Sequence, residues 1–314
     1  MSVLDSEGFL SCNIKKIHLS TLQIGAGFCW RLSILTELSP FGDDAGEWIA
    51  LPLEKSIPTL IMAIRLVPSR RCIPLILLGM ALAPVGSLAK PQYGYQGDVA
   101  PENWGKLSPE YAKCTDGAEQ APVNIVSDRT KRKANAPVLV PSYRPTSGDT
   151  VVNTGTTIQV NTEGRLLIGN AEYKLLQYHF HTPSEEAING VHYAMNVHLV
   201  HQDAAGKLAV IGVNFVEGSP NSFISSLWKL LPSAKGQKVS ASLPSLDGVL
   251  PKDLSYYTYA GSLTTPPCSE GVQFYILKTP ETISPAQLAA FQKLYPMNAR
   301  PLQPLNERVI STSD

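Results

Sequence analysis

The 314-residue sequence has no excess of charge of either sign: Lys and Arg total 26, and so do Asp and Glu. A groove for nucleic acid and a surface for anionic lipid both need a basic surplus, so neither partner is expected. Charged residues are sparse at 17%, which excludes an acidic solvating or disordered chain. Five cysteines are too few for a disulfide-dense miniprotein. No apolar run is long enough to cross a bilayer: the longest mostly apolar stretch, 72–83, ends at Pro84 and contains Pro74. Histidine is also scarce, at six residues, yet five of them (His179, His181, His192, His198 and His201) crowd into one short segment.

The apolar stretch has another reading. Arg65, Arg70 and Arg71 precede it, and Gly86-Ser87-Leu88-Ala89 follows with small residues. A positive leader, an apolar middle and a small-residue exit make a secretory signal peptide over 62–89. The protein is therefore expected in the periplasm or outside the cell. The pair Arg70-Arg71 touches on the twin-arginine route, but Cys72-Ile73-Pro74 continues it poorly, so Sec and twin-arginine export both stay open. A signal peptide belongs at a chain start. Met62 is accordingly expected to be the initiator, with 1–61 a mis-called extension, the alternative being a genuine leader that starts at Met1, and 90–314 the one catalytic domain.

That remainder keeps two cysteines, Cys114 and Cys268. An even count in an exported chain predicts a disulfide, and two cysteines allow one intramolecular pairing. Short alternating apolar runs recur between Gly, Pro, Asn and Asp, predicting strands over 157–160, 165–168, 174–182, 194–201, 208–215, 255–259 and 272–277. Helical spacing is confined to 222–231 and to 284–294, where Ser284-Pro285 reads as a cap followed by proline at the first helical position. The expected fold is mostly β, with short peripheral helices around one large sheet.

Side chains two apart on a strand share a face. His179 and His181 thus point one way, and Tyr178 and Phe180 the other. Asn196 and His198 share a face in the same manner. The intervening segment, with Asn189-Gly190 inside it, can turn the chain back and bring three imidazoles together. Three histidines leave a tetrahedral zinc one open position, the catalytic arrangement. The competing reading is a set of hydrogen-bonded strand histidines.

The motifs around these residues resemble those of one family, the alpha-class carbonic anhydrases of the bacterial secreted type. They are Tyr93-Gly-Tyr, Pro101-Glu-Asn-Trp104, Gln120-Ala-Pro-Val-Asn-Ile125, Gln177-Tyr-His-Phe-His-Thr-Pro-Ser-Glu185, His198-Leu-Val-His201, Gly261-Ser-Leu-Thr-Thr-Pro-Pro-Cys268 and Asn298-Ala-Arg-Pro-Leu-Gln-Pro304. The resemblance covers about 93–308. It implies a large, mainly antiparallel twisted sheet and Zn2+ as cofactor, held by His179, His181 and His198. It implies reversible hydration of carbon dioxide to bicarbonate and a proton by zinc-hydroxide attack. Thr264 would accept the hydroxide's proton in a hydrogen bond and donate its own to Glu185. Gln177, Asn196 and Glu186 would stand behind the ligands. Val200, Val210, Leu263, Thr265, Val272 and Phe274 would wall the carbon dioxide pocket, and Cys114 and Cys268 would form the family's bacterial disulfide. Oligomeric state is left open.

The sequence departs from that family in four places. Thr156 stands at the position of the proton-shuttle histidine, and threonine does not titrate near neutral pH. Asn196 replaces a glutamate that accepts from the ligand matching His198. Glu186 replaces a histidine that bonds that glutamate, which suggests a relay Glu186–Asn196–His198. Phe274 replaces a common tryptophan. These changes predict slower turnover, and they sustain the alternative of a catalytically weak or silent binding module.

Overall fold

The computed structural model describes residues 92–314, so the expectations for 1–61 and for the signal peptide at 62–89 lie outside the described residues. Strands dominate, and one twelve-stranded sheet organises them. Ten of its strands are β1 (Lys131–Arg132), β2 (Thr146–Asn153), β3 (Ile158–Ile168), β4 (Ala171–His181), β5 (Met195–Asp203), β6 (Leu208–Glu217), β7 (Lys238–Leu243), β8 (Tyr256–Ser262), β9 (Glu270–Leu277) and β10 (Ser311–Thr312). Their spatial order is β7-β2-β3-β4-β5-β6-β9-β8-β10-β1. Two short strands join off this path: Glu281–Ile283 beside β6 and Leu139–Ser142 beside β3. Neighbours from β7 to β6 run antiparallel, and β6 meets β9 in parallel.

The separate runs 157–160 and 165–168 are one strand, interrupted by a register shift between Asn161 and Gly164. The edge strand β7 and its neighbour β2 escape sequence reading. Both are rich in small and polar residues, with few large apolar side chains to mark a strand. The two expected helices form as Ser222–Trp228 and Pro285–Gln292. In the second, the Ser284 hydroxyl accepts from Gln287 N and the Gln287 side chain caps back, a complete capping box that sets the start.

Alternation sorts the central strands into two apolar layers. Tyr178, Phe180, Val197, Leu199 and Phe215 face a core that the two helices cover with Phe223, Leu227 and Phe291. The other face carries Val200, Val210, Tyr259, Val272 and Phe274. Fully burying each such side chain contributes about 1.5–3 kcal/mol relative to exposure. These rows fix the register. A slip of one residue in β4 would push Tyr178 and Phe180 into the cavity and both histidines into the core.

Candidate metal centre

The β4–β5 pairing sets His179 directly across from His198 and His181 across from Asn196. Within the connection between the strands, Asn189-Gly190 turns a short hairpin of Ala187–Ile188 against Val191–His192, both residues with positive φ (52° and 80°), which Asn and Gly tolerate best. One ring nitrogen from each of His179, His181 and His198 lies within 4.8 Å of the others. The expected cluster is therefore assembled, and the other two histidines are elsewhere. The ring of His201 is in the opposite layer, 2.7 Å from the Tyr143 hydroxyl. His192 is spent on a bond to the Ser184 carbonyl, 2.7 Å away.

The back of each imidazole is engaged, which assigns its front. Nδ1 of His179 is 2.8 Å from Gln177 Oε1, and Nδ1 of His181 is 2.9 Å from the Asn298 carbonyl. Nε2 of His198 lies 3.2 Å from Glu186 Oε2. Acceptors at the back place the ring protons there, so Nε2 of His179 and His181 and Nδ1 of His198 face one another with lone pairs. Nε2 of His181 is buried and has no hydrogen-bond partner. Buried polar atoms are rarely left so. An orphaned nitrogen among two convergent imidazoles suits a divalent cation with nitrogen preference, and the donor set fits zinc.

The electrostatics agree. Burial, with His198 adding repulsion, lowers the His179 pKa to about 3, and burial with its two neighbours takes His181 well below its ordinary range. Neutral imidazole is the ligating form. Burial also lowers His198, but the charge and hydrogen bond of Glu186, with Glu185, outweigh it and leave the group raised. Burial pushes the Glu185 carboxyl up to about 7, against the pull of His198, the Arg300 backbone N–H and Thr264. A cation held by the imidazoles would favour its ionised form.

A cavity of about 140 Å³ opens in front of the three rings. Val200, Val210, Leu263, Val272 and Phe274 supply its apolar wall, with Thr264 and Thr265 beside the histidines and Thr156 also in the lining. Thr264 sits on the connection between β8 and β9, which Cys268 ties to Cys114 by a disulfide. Glu185 is fully buried behind this floor, with Oε1 accepting from Arg300 N at 3.0 Å.

One expectation is refined. Asn196 does lie beside both Glu186 and His198, with Nδ2 3.0 Å from His198 Nε2, but the carboxylate also meets the ring directly. The 182–194 connection folds back far enough for Glu186 to reach the ring itself, and Asn196 turns Nδ2 to Glu186 Oε2 at 3.1 Å. Sequence reasoning also missed several partners. Tyr259 donates to Glu186 Oε1 at 3.0 Å, and the buried Arg300 guanidinium reaches Gln120, Ala121 O and Cys114 O. Asn298 holds His181 through its carbonyl and Thr182 N through its side chain. Gly212, opposite His198, leaves room for Ile276: a Cβ there would come within 2.6 Å of Ile276 Cδ1. The signal for Asn298 and Arg300 was present, because they sit in the 298–304 motif.

Comparison with known proteins follows the same line. The family model described as eukaryotic-type carbonic anhydrase matches residues 99–314. A carbonic anhydrase from Klebsiella pneumoniae is 40% identical over 240 residues, covering 74% of this chain and 96% of that protein. One from Neisseria gonorrhoeae is 42% identical over 223 residues, covering 69% of this chain and 86% of the other. Among solved structures, an alpha-carbonic anhydrase from Thermovibrio ammonificans in complex with the inhibitor sulfanilamide superposes with a TM-score of 0.68 at 39% identity, covering 71% of this chain and all of that one.

Proposed function

The chain belongs to the alpha-class carbonic anhydrase family, and we propose that it hydrates carbon dioxide at a zinc ion held by His179, His181 and His198. The observation that carries this reading is the convergence of three imidazole nitrogens within 4.8 Å, with His181 Nε2 buried and unpartnered.

Zinc, when bound, supplies a Lewis acid that brings the pKa of a coordinated water to about 7. The chain's own residues organise the rest. Glu185, once ionised, is an acceptor only, so the Thr264 hydroxyl gives it its proton and can only accept at the cavity side. A nucleophilic oxygen that donates to Thr264 keeps its lone pair turned toward the substrate. The wall of Val200, Val210, Leu263, Val272 and Phe274 takes an apolar substrate and excludes water from the reacting carbon. Among the described residues lining the cavity, no imidazole beyond the three ligands is available to carry the proton away, and Thr156 is one of the lining residues. Turnover therefore depends on external buffer.

The chain is exported in this reading. The leader at 62–89 and the Cys114–Cys268 bond support it, since such bonds persist in oxidising compartments. Among the described residues no helix is long and apolar enough to cross a membrane. The alternative of a silent binding module drew on Asn196 and Glu186. Glu186 lies against His198, which weakens that alternative.

The test is metal analysis with a carbon dioxide hydration assay on protein from zinc-replete growth. About one zinc per chain is expected, and His179→Ala should lose most of it together with activity. Wild type without zinc would overturn the reading.

A further inference from the structure

We infer that Glu186 is the positioning residue that fixes the tautomer and orientation of His198, a role the family assigns to the residue that is Asn196 here. The inference rests on the metal-site reading above. His198 must offer Nδ1 to a metal, because its Nε2 points away from the other two rings toward the Glu186–Asn196 side. With Nδ1 as ligand, the ring proton is on Nε2 and needs an acceptor. The residue is 2% exposed, so that acceptor has to come from the protein.

Two atoms are within reach. Asn196 Nδ2 lies 3.0 Å away and Glu186 Oε2 lies 3.2 Å away. An amide nitrogen is a donor and cannot take the proton. Turning the amide over would set its oxygen where Nδ2 now meets Glu186 Oε2 at 3.1 Å, acceptor against acceptor. The carboxylate is thus the acceptor. It is itself held: Oε2 also receives the Asn196 amide, and Oε1 receives the Tyr259 hydroxyl at 3.0 Å. Tyr259 in turn stacks on Phe274 at 4.9 Å between ring centres. The cavity wall, the tyrosine, the carboxylate and the ligand make one connected assembly. An anionic acceptor raises the donor strength of the imidazole more than a neutral amide does. The charge that the family carries on the strand itself is carried here on the connection, ten residues earlier in sequence.

The experiment is zinc affinity and release rate of the whole protein, by competition with a chromophoric chelator, together with the proton NMR signal of His198 Nε2–H in the zinc-loaded form. Glu186→Gln should weaken zinc about 10–100-fold, speed its release and move that signal upfield. Asn196→Ala should weaken zinc far less, because the direct contact survives. A purely structural role would lower stability without moving the signal. If Glu186→Gln binds zinc as wild type does, the inference fails while the metal site stands. If wild type binds no zinc, the site reading itself fails. Should Glu186→Gln not fold, Asn196→Ala still decides: a loss of tenfold or more means that the amide, not the carboxylate, holds the ring. Recovery of affinity in Glu186→His/Asn196→Glu would show that the charge matters and not its place in sequence.

Discussion

Removing the Cys114–Cys268 bond should destabilise the protein without disabling it. The two cysteines are 154 residues apart in sequence, and with Trp104 and Tyr111 they form a small buried cluster. The chain-entropy relation for a loop of that size gives about 5 kcal/mol, taken almost wholly from the freedom of the unfolded chain. Measured effects fall short of this bound, so about 3–5 kcal/mol is expected. The folded ends have other tethers. Arg300 Nη2 donates to Cys114 O and Gln120 Nε2 to Cys268 O, while Arg300 Nη1 joins Gln120 at 2.9 Å. That network holds the loop carrying Thr264 when the sulfurs are gone. The double variant Cys114→Ala/Cys268→Ala should therefore keep near-normal hydration activity in dilute buffer. Its urea midpoint should fall by about 1–2.5 M, with a slope near 2–3 kcal/mol/M for a domain this size. A midpoint within 0.3 M of wild type, a threshold set at roughly 1 kcal/mol by that slope, would refute the entropy reasoning. Activity lost at unchanged stability would mean that the bond acts by positioning Thr264 instead.

Three further outcomes are expected. Thr264→Val should cut turnover on the order of 10²-fold, as loss of one preorganised hydrogen bond does, with zinc content unchanged; loss of zinc would place the residue in metal retention instead. Thr156→His should raise turnover at low buffer and flatten its dependence on imidazole, leaving the second-order rate for carbon dioxide unchanged; a wild type already indifferent to buffer would reveal another proton carrier. Burial lowers the His201 pKa to about 4, whereas the unfolded imidazole protonates near 6.5. Between those values the unfolded state binds more protons, so the group's contribution is complete above about pH 6.5 and is lost as pH falls toward 4, about 3 kcal/mol in all. Urea titrations across that window should show the slope, and His201→Gln should flatten it.

Period-two alternation was enough to place His179 with His181 on one face of their strand and Asn196 with His198 on one face of the next, because side-chain direction in a strand is a local property. The Asn189-Gly190 turn and the Ser284 cap were legible for the same reason: each is set by the conformational preference of one or two residues. The apolar rows of β4 and β5 then left one register, with His179 facing His198. Nothing local reports which distant group stands behind each ring. Glu186 lies on an irregular connection with no period to read, so its side chain could be placed one step away from His198 but not against it. Tyr259, Asn298 and Arg300 arrive from the far end of the chain, brought to the histidines by β8 and by the segment after the last helix. Their positions depend on long-range strand pairing and on the burial of a carboxylate that needs every donor within reach.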